Sequence, residues 1–179
     1  KNYRKAIALD PKFAQAYHWL GINLTSQGKF EEAYSTLKKA VELDPDNHVV
    51  LMNFATCAIE TKKFHEAEVV CKRGLSVTPD YYQTWEKLYI VYSIQGGRDK
   101  DINDLVSEIE LFINKNTLIY SVLAHYYKDR DTVKFQKYVS EGRSYAETAK
   151  GIQLDQYQLL DGDFSKYMDE AEKAFEVRK

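Results

Sequence analysis

The residue types that most often catalyse reactions or bind metals are scattered along this 179-residue chain. Its four histidines, His18, His48, His65 and His125, are far apart in sequence. A zinc-protease helix needs two histidines four residues apart with a glutamate after the first, but "HEAEV", which starts at His65, has no second histidine. The chain also lacks a glycine-rich phosphate loop and a G-x-S-x-G motif. We therefore predict that it is not an enzyme by itself and binds no cofactor and no metal.

The two cysteines, Cys57 and Cys71, are compatible with two kinds of chemistry. Neither a C-x-x-C motif nor a cluster of other metal ligands surrounds them, so we expect two reduced thiols that pack in the interior. The alternative is a disulfide that joins two helices, which would require an oxidising compartment. We favour reduced thiols and a cytoplasmic location, while a periplasmic or other compartment stays open.

Charge and hydropathy exclude several classes of partner. The chain has 25 Lys and Arg against 27 Asp and Glu, a net charge of −2, and so lacks the basic composition typical of nucleic-acid binding. No apolar run approaches the roughly 18 residues that indicate a membrane span. We therefore expect a protein or peptide partner, with no nucleic acid and no membrane insertion. The composition indicates no particular oligomeric state.

The positions of the three prolines reveal how the chain is organised. Pro11, Pro45 and Pro79 are equally spaced, and we call this spacing the period of the chain. A shift by one or two periods also superposes large apolar residues, for example Leu20 and Leu88. A fixed period of this length is typical of a solenoid built from stacked supersecondary units.

Each period contains two helical patterns. Tyr17, Leu20 and Leu24 follow the i, i+3, i+7 spacing of one helix face, and a second apolar stripe runs from Phe30 to Val41. We therefore predict pairs of helices with no strand.

Small and helix-breaking residues separate these elements. Gly28 marks the turn inside the pair, and small Gly21 and Ala33 allow the two helices to approach closely. Pro45 cannot continue the second helix, because it has no N–H and clashes with the preceding turn. Asn47 is then placed to cap the next helix.

The stretch "AYHWLGINLTSQGKFEEAYSTLKKAVELDPDN", residues 16–47, resembles a tetratricopeptide repeat. It has the order of that family: an aromatic residue, Leu-Gly, then Gly, Phe, Ala, Ala and Pro. Residues 48–81 match with Ala55 in place of the glycine, and the third period keeps "WEKLYIVYSIQG" but has Asp101 and Ile113 where the family has alanine and proline.

The period continues beyond the clear repeats. Ile119, Leu123 and Tyr126 fall in the core positions of a first helix, and Phe135 falls in that of a second, so we predict a fourth, degenerate repeat. The opening "KNYRKAIALDP" reads as the second half of a helix pair, so we expect a fragment of a longer chain. The predicted single domain, 1–179, comprises a partial repeat 1–13, repeats 14–47, 48–81 and 82–115, a degenerate repeat 116–149, and degenerate or capping helices 150–179.

The resemblance implies a right-handed superhelix (an α-α solenoid of helix hairpins) whose first helices line a concave groove. Proteins of this family bind extended peptides, helices or whole partners in that groove. Residues between the core positions of the first helices would then face the partner, and most of them are uncharged. The predicted partner-binding residues are His18, Ile22, Thr25, Met52, Asn53, Thr56, Gln83, Glu86, Lys87, Ile90 and Ile94.

One known use of such a groove is a clamp for the acidic C-termini of heat-shock chaperones. That clamp needs Lys, Asn, Asn, Lys and Arg at positions that read His18, Ile22, Asn53, Gln83 and Lys87 here. Most of the charge-assisted hydrogen bonds to the two carboxylates would be lost, so we reject this partner class.

Two functions from different classes follow from the resemblance. The first is a non-catalytic scaffold that binds a partner peptide or helix in the groove. The second is a regulatory or substrate-docking region of a larger enzyme, such as a glycosyltransferase. A catalytic domain next to this segment would favour the second.

Overall fold

The computed structural model describes residues 2–111 and 117–150, which form nine helices and no strand within those ranges. The prediction of an all-α fold built from helix hairpins is confirmed. In chain order the helices are α1 Asn2–Leu9, α2 Ala14–Ser26, α3 Phe30–Leu43, α4 His48–Glu60, α5 Phe64–Val77, α6 Tyr82–Gln95, α7 Asp99–Glu110, α8 Thr117–Tyr127 and α9 Thr132–Lys150.

The chain divides into two compact units. Unit 1 is Lys1–Asp99 and unit 2 is Lys100–Lys179. The single domain expected over 1–179 stays a prediction. The predicted capping helices of 150–179 lie, apart from Lys150 at the end of α9, outside the described residues.

The helices of unit 1 recur with the period of the prolines. The first helices, α2, α4 and α6, begin at Ala14, His48 and Tyr82, each one period after the last. The second helices α3 and α5 begin at Phe30 and Phe64, which are again one period apart. In the first two repeats the first helix packs on the second, α2 on α3 and α4 on α5, and the second packs on the first helix of the next repeat, α3 on α4 and α5 on α6. The sequence period is therefore a structural period.

Local backbone chemistry explains where these helices begin and end. Gly28 has a φ of 71°, which glycine adopts without steric penalty, and forms the turn between α2 and α3. The helix α3 ends two residues before Pro45. As predicted, Asn47 caps α4, because its Oδ1 accepts hydrogen bonds from Val49 N at 3.2 Å and Val50 N at 3.3 Å.

The first hairpin depends on a close approach at Gly21. A Cβ atom added there would overlap Leu37 Cγ and lie 2.6 Å from Leu37 Cδ2, and Leu37 is fully buried. The second repeat changes both positions: Ala55 and Cys71, also fully buried, lie one period after Gly21 and Leu37. A larger residue on the first helix thus accompanies a smaller one on the second.

We expect Gly21→Ala to lower the free energy of unfolding by about 1–3 kcal/mol, because the added methyl group overpacks against Leu37. Leu37→Cys alone should also destabilise the protein, since it leaves a cavity. The double variant copies the Ala55–Cys71 pair and should be more stable than the two single effects together imply. Urea denaturation of the four proteins, followed by tryptophan fluorescence, measures this coupling. Purely additive effects would contradict the complementary packing.

Both cysteines are free, buried thiols, so the disulfide considered as an alternative is not formed. Thr25 Oγ1 and Cys57 Sγ are hydrogen-bonded at 3.1 Å across α2 and α4. Burial raises the pKa of Cys57, and it raises the pKa of Cys71 to about 12. Because the reactive form of cysteine is the thiolate, both side chains are packing groups and not nucleophiles at neutral pH.

In unit 2, α8 and α9 pack together as the hairpin expected for the predicted fourth repeat. Both helices begin within one residue of the positions that the period requires. Ile119, Leu123 and Phe135 are buried, as expected for core positions. Tyr126 is only half-buried, because its hydroxyl reaches outward and donates a hydrogen bond to Asn103 Oδ1.

Candidate functional site

The first helices of unit 1 form one continuous face. The helix α2 contacts α4, and α4 contacts α6, whereas the backbones of the second helices α3 and α5 show no comparable approach among the described residues of unit 1. The side with the closer helices is the concave side of a curved stack. We call this face, made by α2, α4 and α6, the groove.

Side chains at one end of the groove are already bonded to each other. Asn53 Nδ2 donates a hydrogen bond of 2.9 Å to His18 Nε2, because an amide nitrogen can only donate. The imidazole is therefore neutral, and burial lowers its pKa although Asp44 partly opposes this. The Trp19 ring lies beside His18, with 5.6 Å between the ring centroids. The sequence-predicted pair is thus brought together, but His18 is buried instead of lining the groove, and Asn53 is the partly exposed member.

Met52, predicted to line the groove, is instead part of the core. Only 4% of its surface is exposed. Thr84 Oγ1 donates a hydrogen bond of 3.2 Å to Met52 Sδ, and Met52 Cε lies 3.1 Å from the position a Cβ of Gly74 would take. The glycine leaves room for the thioether between α4 and α5, so the side chain packs inward.

The two threonines of the groove present no free donor. Thr25 Oγ1 donates to Gly21 O at 3.0 Å, and Thr56 Oγ1 donates to Met52 O at 3.0 Å, each within its own helix. Both side chains are partly exposed. A partner therefore meets a neutral surface at these positions.

Apolar surface concentrates at the other end of the groove, on α6. Ile90 is partly exposed and Ile94 is 54% exposed. Ile22 on α2 and Gln83 at the start of α6 are also partly exposed. These side chains are available to a partner, as the sequence predicted.

Trp19 was not among the residues predicted from the sequence, yet 45% of its surface is exposed. It lies one period before Asn53 and two periods before Lys87, which were both predicted for the groove. The period by itself therefore indicated that Trp19 belongs with the groove residues. An exposed tryptophan is a large rigid anchor for a partner, because it buries much apolar area at a small entropic cost.

Glu86 is the acidic group on this part of α6. It is partly buried, and it forms no hydrogen bond or ion pair with any residue that the structure describes. Burial raises the pKa of Glu86, and the neighbouring Lys87 only partly offsets this. The ionised carboxylate is therefore held in an environment that disfavours it.

We expect Glu86→Gln to raise the free energy of unfolding at pH 7 by on the order of 1 kcal/mol, because it removes a desolvated charge. Since the folded-state pKa is raised, the penalty is complete above that pKa and disappears as the pH falls to the ordinary value of 4.5. Urea denaturation at pH 7 and pH 4 should show the gain at pH 7 alone. Glu60→Gln, at the exposed last residue of α4, is the control with no expected change. A less stable Glu86→Gln at pH 7 would contradict the assignment.

Within residues 2–111 and 117–150, no three His, Cys, Asp or Glu side chains converge as metal ligands. None of the helices in those ranges is long and apolar enough to cross a membrane.

Models of tetratricopeptide repeats match the chain over residues 2–34 and 24–88. Residues 2–88 belong to the tetratricopeptide repeat (TPR) family. The TPR-containing protein trd-1 of Caenorhabditis elegans is 34% identical over 99 residues, which are 55% of this chain and 13% of that protein. The UDP-N-acetylglucosamine–peptide N-acetylglucosaminyltransferase of Giardia intestinalis is 30% identical over 79 residues, 44% of this chain and 5% of that enzyme. The chain therefore spans a small part of the length of these relatives.

Solved structures share the TPR fold. MamA superposes with a TM-score of 0.69 at 20% identity, covering 83% of this chain and 87% of MamA. The first TPR domain of Spaghetti (RPAP3), solved with an HSP90 peptide, has a TM-score of 0.50 at 18% identity and covers 76% of this chain and 93% of that domain. At these identities the similarity shows the fold alone.

Proposed function

We propose that this chain is a non-catalytic scaffold that binds a peptide or helix of a protein partner in the groove. The observation that carries the proposal is the continuous face of α2, α4 and α6, on which exposed apolar residues such as Trp19 and Ile94 lie. Apolar surface of this kind gains about 25 cal/mol per Å² when a partner removes it from water.

The outer face is a weaker candidate, because its charges are paired within the chain. Lys38 Nζ lies 3.0 Å from Glu66 Oε2, and Lys39 Nζ lies 2.8 Å from Glu42 Oε2. A partner that used these lysines would have to compete with existing ion pairs. A partner that contacts the apolar residues of the groove would not have to break these ion pairs.

An acidic chaperone C-terminus is not the proposed partner. Asn53, the one full match to the clamp, already donates to His18, and the buried imidazole is neutral. Lys87 is then the single positive charge among the five clamp positions. The HSP90 peptide bound by the Spaghetti domain therefore does not transfer to this groove.

A random dodecapeptide phage library, selected on the purified chain, tests the proposal. Ile94→Asp and Ile90→Asp should weaken binding of the recovered peptides by about tenfold or more, because a charge is buried against apolar partner groups. Lys38→Glu, on the outer face, should change affinity little. Because the groove carries few charges, high salt should not abolish binding. Circular dichroism confirms that each variant is folded.

Two results would overturn the groove as the binding site. One is that the library yields no peptide that binds the wild-type chain. The other is that Lys38→Glu and high salt abolish binding while Ile94→Asp does not.

A second candidate is a regulatory or substrate-docking region of a larger enzyme. The match to the Giardia transferase favours it, since the matched segment belongs to an enzyme. Sequencing the full-length gene distinguishes the candidates: an adjoining catalytic domain supports docking, and its absence supports the scaffold. A cytoplasmic location is part of the proposal and agrees with two free thiols.

A further inference from the structure

Glu86 differs from the residues at the equivalent positions of the other repeats. Met52 lies one period before it and His18 two periods before it. Each of these is neutral and has a hydrogen-bond partner inside the protein: Asn53 for His18 and Thr84 for Met52. Glu86, at the equivalent position of α6, is only partly buried and has an ionisable carboxyl group without such a partner among the described residues.

Glu86 also differs from the other partly buried acidic residues of unit 1. Asp44 accepts a hydrogen bond from Asn47 at 2.9 Å. Glu66 accepts one from Tyr34 at 2.6 Å and pairs with Lys38. Glu68 is held by Arg98 and Lys72, and Arg98 lowers its pKa to about 2. Within the described part of unit 1, Glu86 is therefore the partly buried carboxylate with no hydrogen-bond donor.

A partly desolvated carboxylate without a donor is destabilised unless a ligand compensates it. Removing a carboxylate from water without a donor costs more than leaving a neutral polar group unsatisfied. A lysine or arginine side chain would supply charge-assisted hydrogen bonds at this point. The cost in the free protein would then be recovered in the complex, which makes the site selective for the sign of the ligand's charge.

We infer that the groove recognises a peptide segment with a lysine or arginine side chain that pairs with Glu86. This inference rests on the proposed function, because it specifies which peptides the groove selects. The side chains one and two turns further along α6, Ile90 and Ile94, add apolar contacts on the same helix face.

The spacing of these residues predicts the pattern in the peptide. Glu86 and Ile94 are separated by two helical turns of α6, a rise of about 12 Å. An extended peptide advances about 3.3–3.6 Å per residue. A peptide that runs along α6 should therefore carry an apolar residue three or four positions from its basic residue.

The test uses the random dodecapeptide phage library on three chains: wild type, Glu86→Gln and Glu60→Gln. Wild-type and Glu60→Gln selections should be enriched in lysine or arginine with an apolar residue three or four positions away. The Glu86→Gln selection should lose the basic residue. Recovered peptides are then synthesised with arginine replaced by citrulline, or lysine by norleucine.

In fluorescence anisotropy, the neutral replacement should weaken binding to wild type and Glu60→Gln by about tenfold or more. It should have little effect on binding to Glu86→Gln. Since Glu86→Gln is expected to be the more stable protein, a loss of discrimination cannot be attributed to unfolding.

The possible failures are distinguishable. If no peptide binds the wild-type chain, the proposed function fails and this inference fails with it. If peptides bind and Ile94→Asp weakens them, but they show no basic residue, the inference alone is overturned. The same conclusion follows if Glu86→Gln still discriminates between the charged peptide and its neutral counterpart.

Discussion

Leu88→Ala is expected to lower the free energy of unfolding by about 2–5 kcal/mol, because it leaves a cavity in a closely packed site. Leu88 is 3% exposed. Leu20 occupies the equivalent position two repeats earlier but is only half-buried, so Leu20→Ala should cost clearly less. The matched pair thus compares one chemical change at two degrees of burial.

Urea denaturation followed by tryptophan fluorescence measures both variants, since Trp19 and Trp85 are the chain's two tryptophans and both lie in unit 1. Trp85 is buried one turn before Leu88 and Trp19 adjoins Leu20, so each variant has a nearby probe. An equal or larger loss for Leu20→Ala would contradict the packing described for these helices.

Glu110→Ala should destabilise unit 2 by about 2–3 kcal/mol, because it removes the shared acceptor of several buried donors. Tyr138 donates to Glu110 Oε1 at 2.6 Å and Tyr127 at 3.0 Å, while Lys134 Nζ lies 3.1 Å from the same oxygen. Both tyrosines are buried. Glu108→Ala, at an exposed position on the same helix, is the control and should have little effect.

Hydrogen exchange of the α8 and α9 amides is the appropriate measurement, because unit 2 contains no tryptophan. Exchange should become faster in Glu110→Ala, and Glu110→Gln should be intermediate because it keeps one carbonyl acceptor. Unchanged exchange in Glu110→Ala would show that the cluster does not stabilise the unit.

The same cluster sets an acid limit on stability. Burial opposes ionisation of Glu110, but the hydrogen bonds from Tyr138, Lys134 and Tyr127 outweigh it and lower the pKa of the carboxyl. Its stabilising contribution is therefore present above the ordinary value of 4.5 and is lost as the pH falls towards the lower folded-state pKa. In Glu110→Gln, the free energy of unfolding should no longer fall in this way as the pH drops from 5 towards the pKa that Glu110 has in the folded wild type.

Much of the fold follows from local signals in the sequence. Pro45 and Asn47 end one helix and cap the next within a short stretch of chain, so neighbours in sequence determine these boundaries. The period then repeats the result, which is why even the degenerate repeat has helices where the pattern predicts them. Local helix propensity and the spacing of apolar residues predict the same helices, and this agreement is why the fold can be predicted from the sequence.

The surface of the groove was less predictable, because helical spacing gives the direction of a side chain but not the space in front of it. Met52 and Ile94 were both predicted to line the groove. Met52 became core because Gly74 leaves room for it and Thr84 donates to its sulfur, whereas Ile94 stays 54% exposed. Trp19 stays accessible on the same face.

Tertiary structure also decided part of the charge pairing. Glu68 and Glu86 are the same residue type on neighbouring helices, but Lys72, four residues after Glu68, lies 2.7 Å from its carboxylate, and Glu86 has no lysine at that spacing. Arg98, on a distant segment of the chain, reaches Glu68 at 3.1 Å, while no described residue reaches Glu86. The sequence by itself determined the repeating helices, because caps, breakers and apolar spacing act between near neighbours. The packing of distant segments brought Arg98 to Glu68 and brought no donor among the described residues to Glu86, because a charge interacts with whatever the fold places near it.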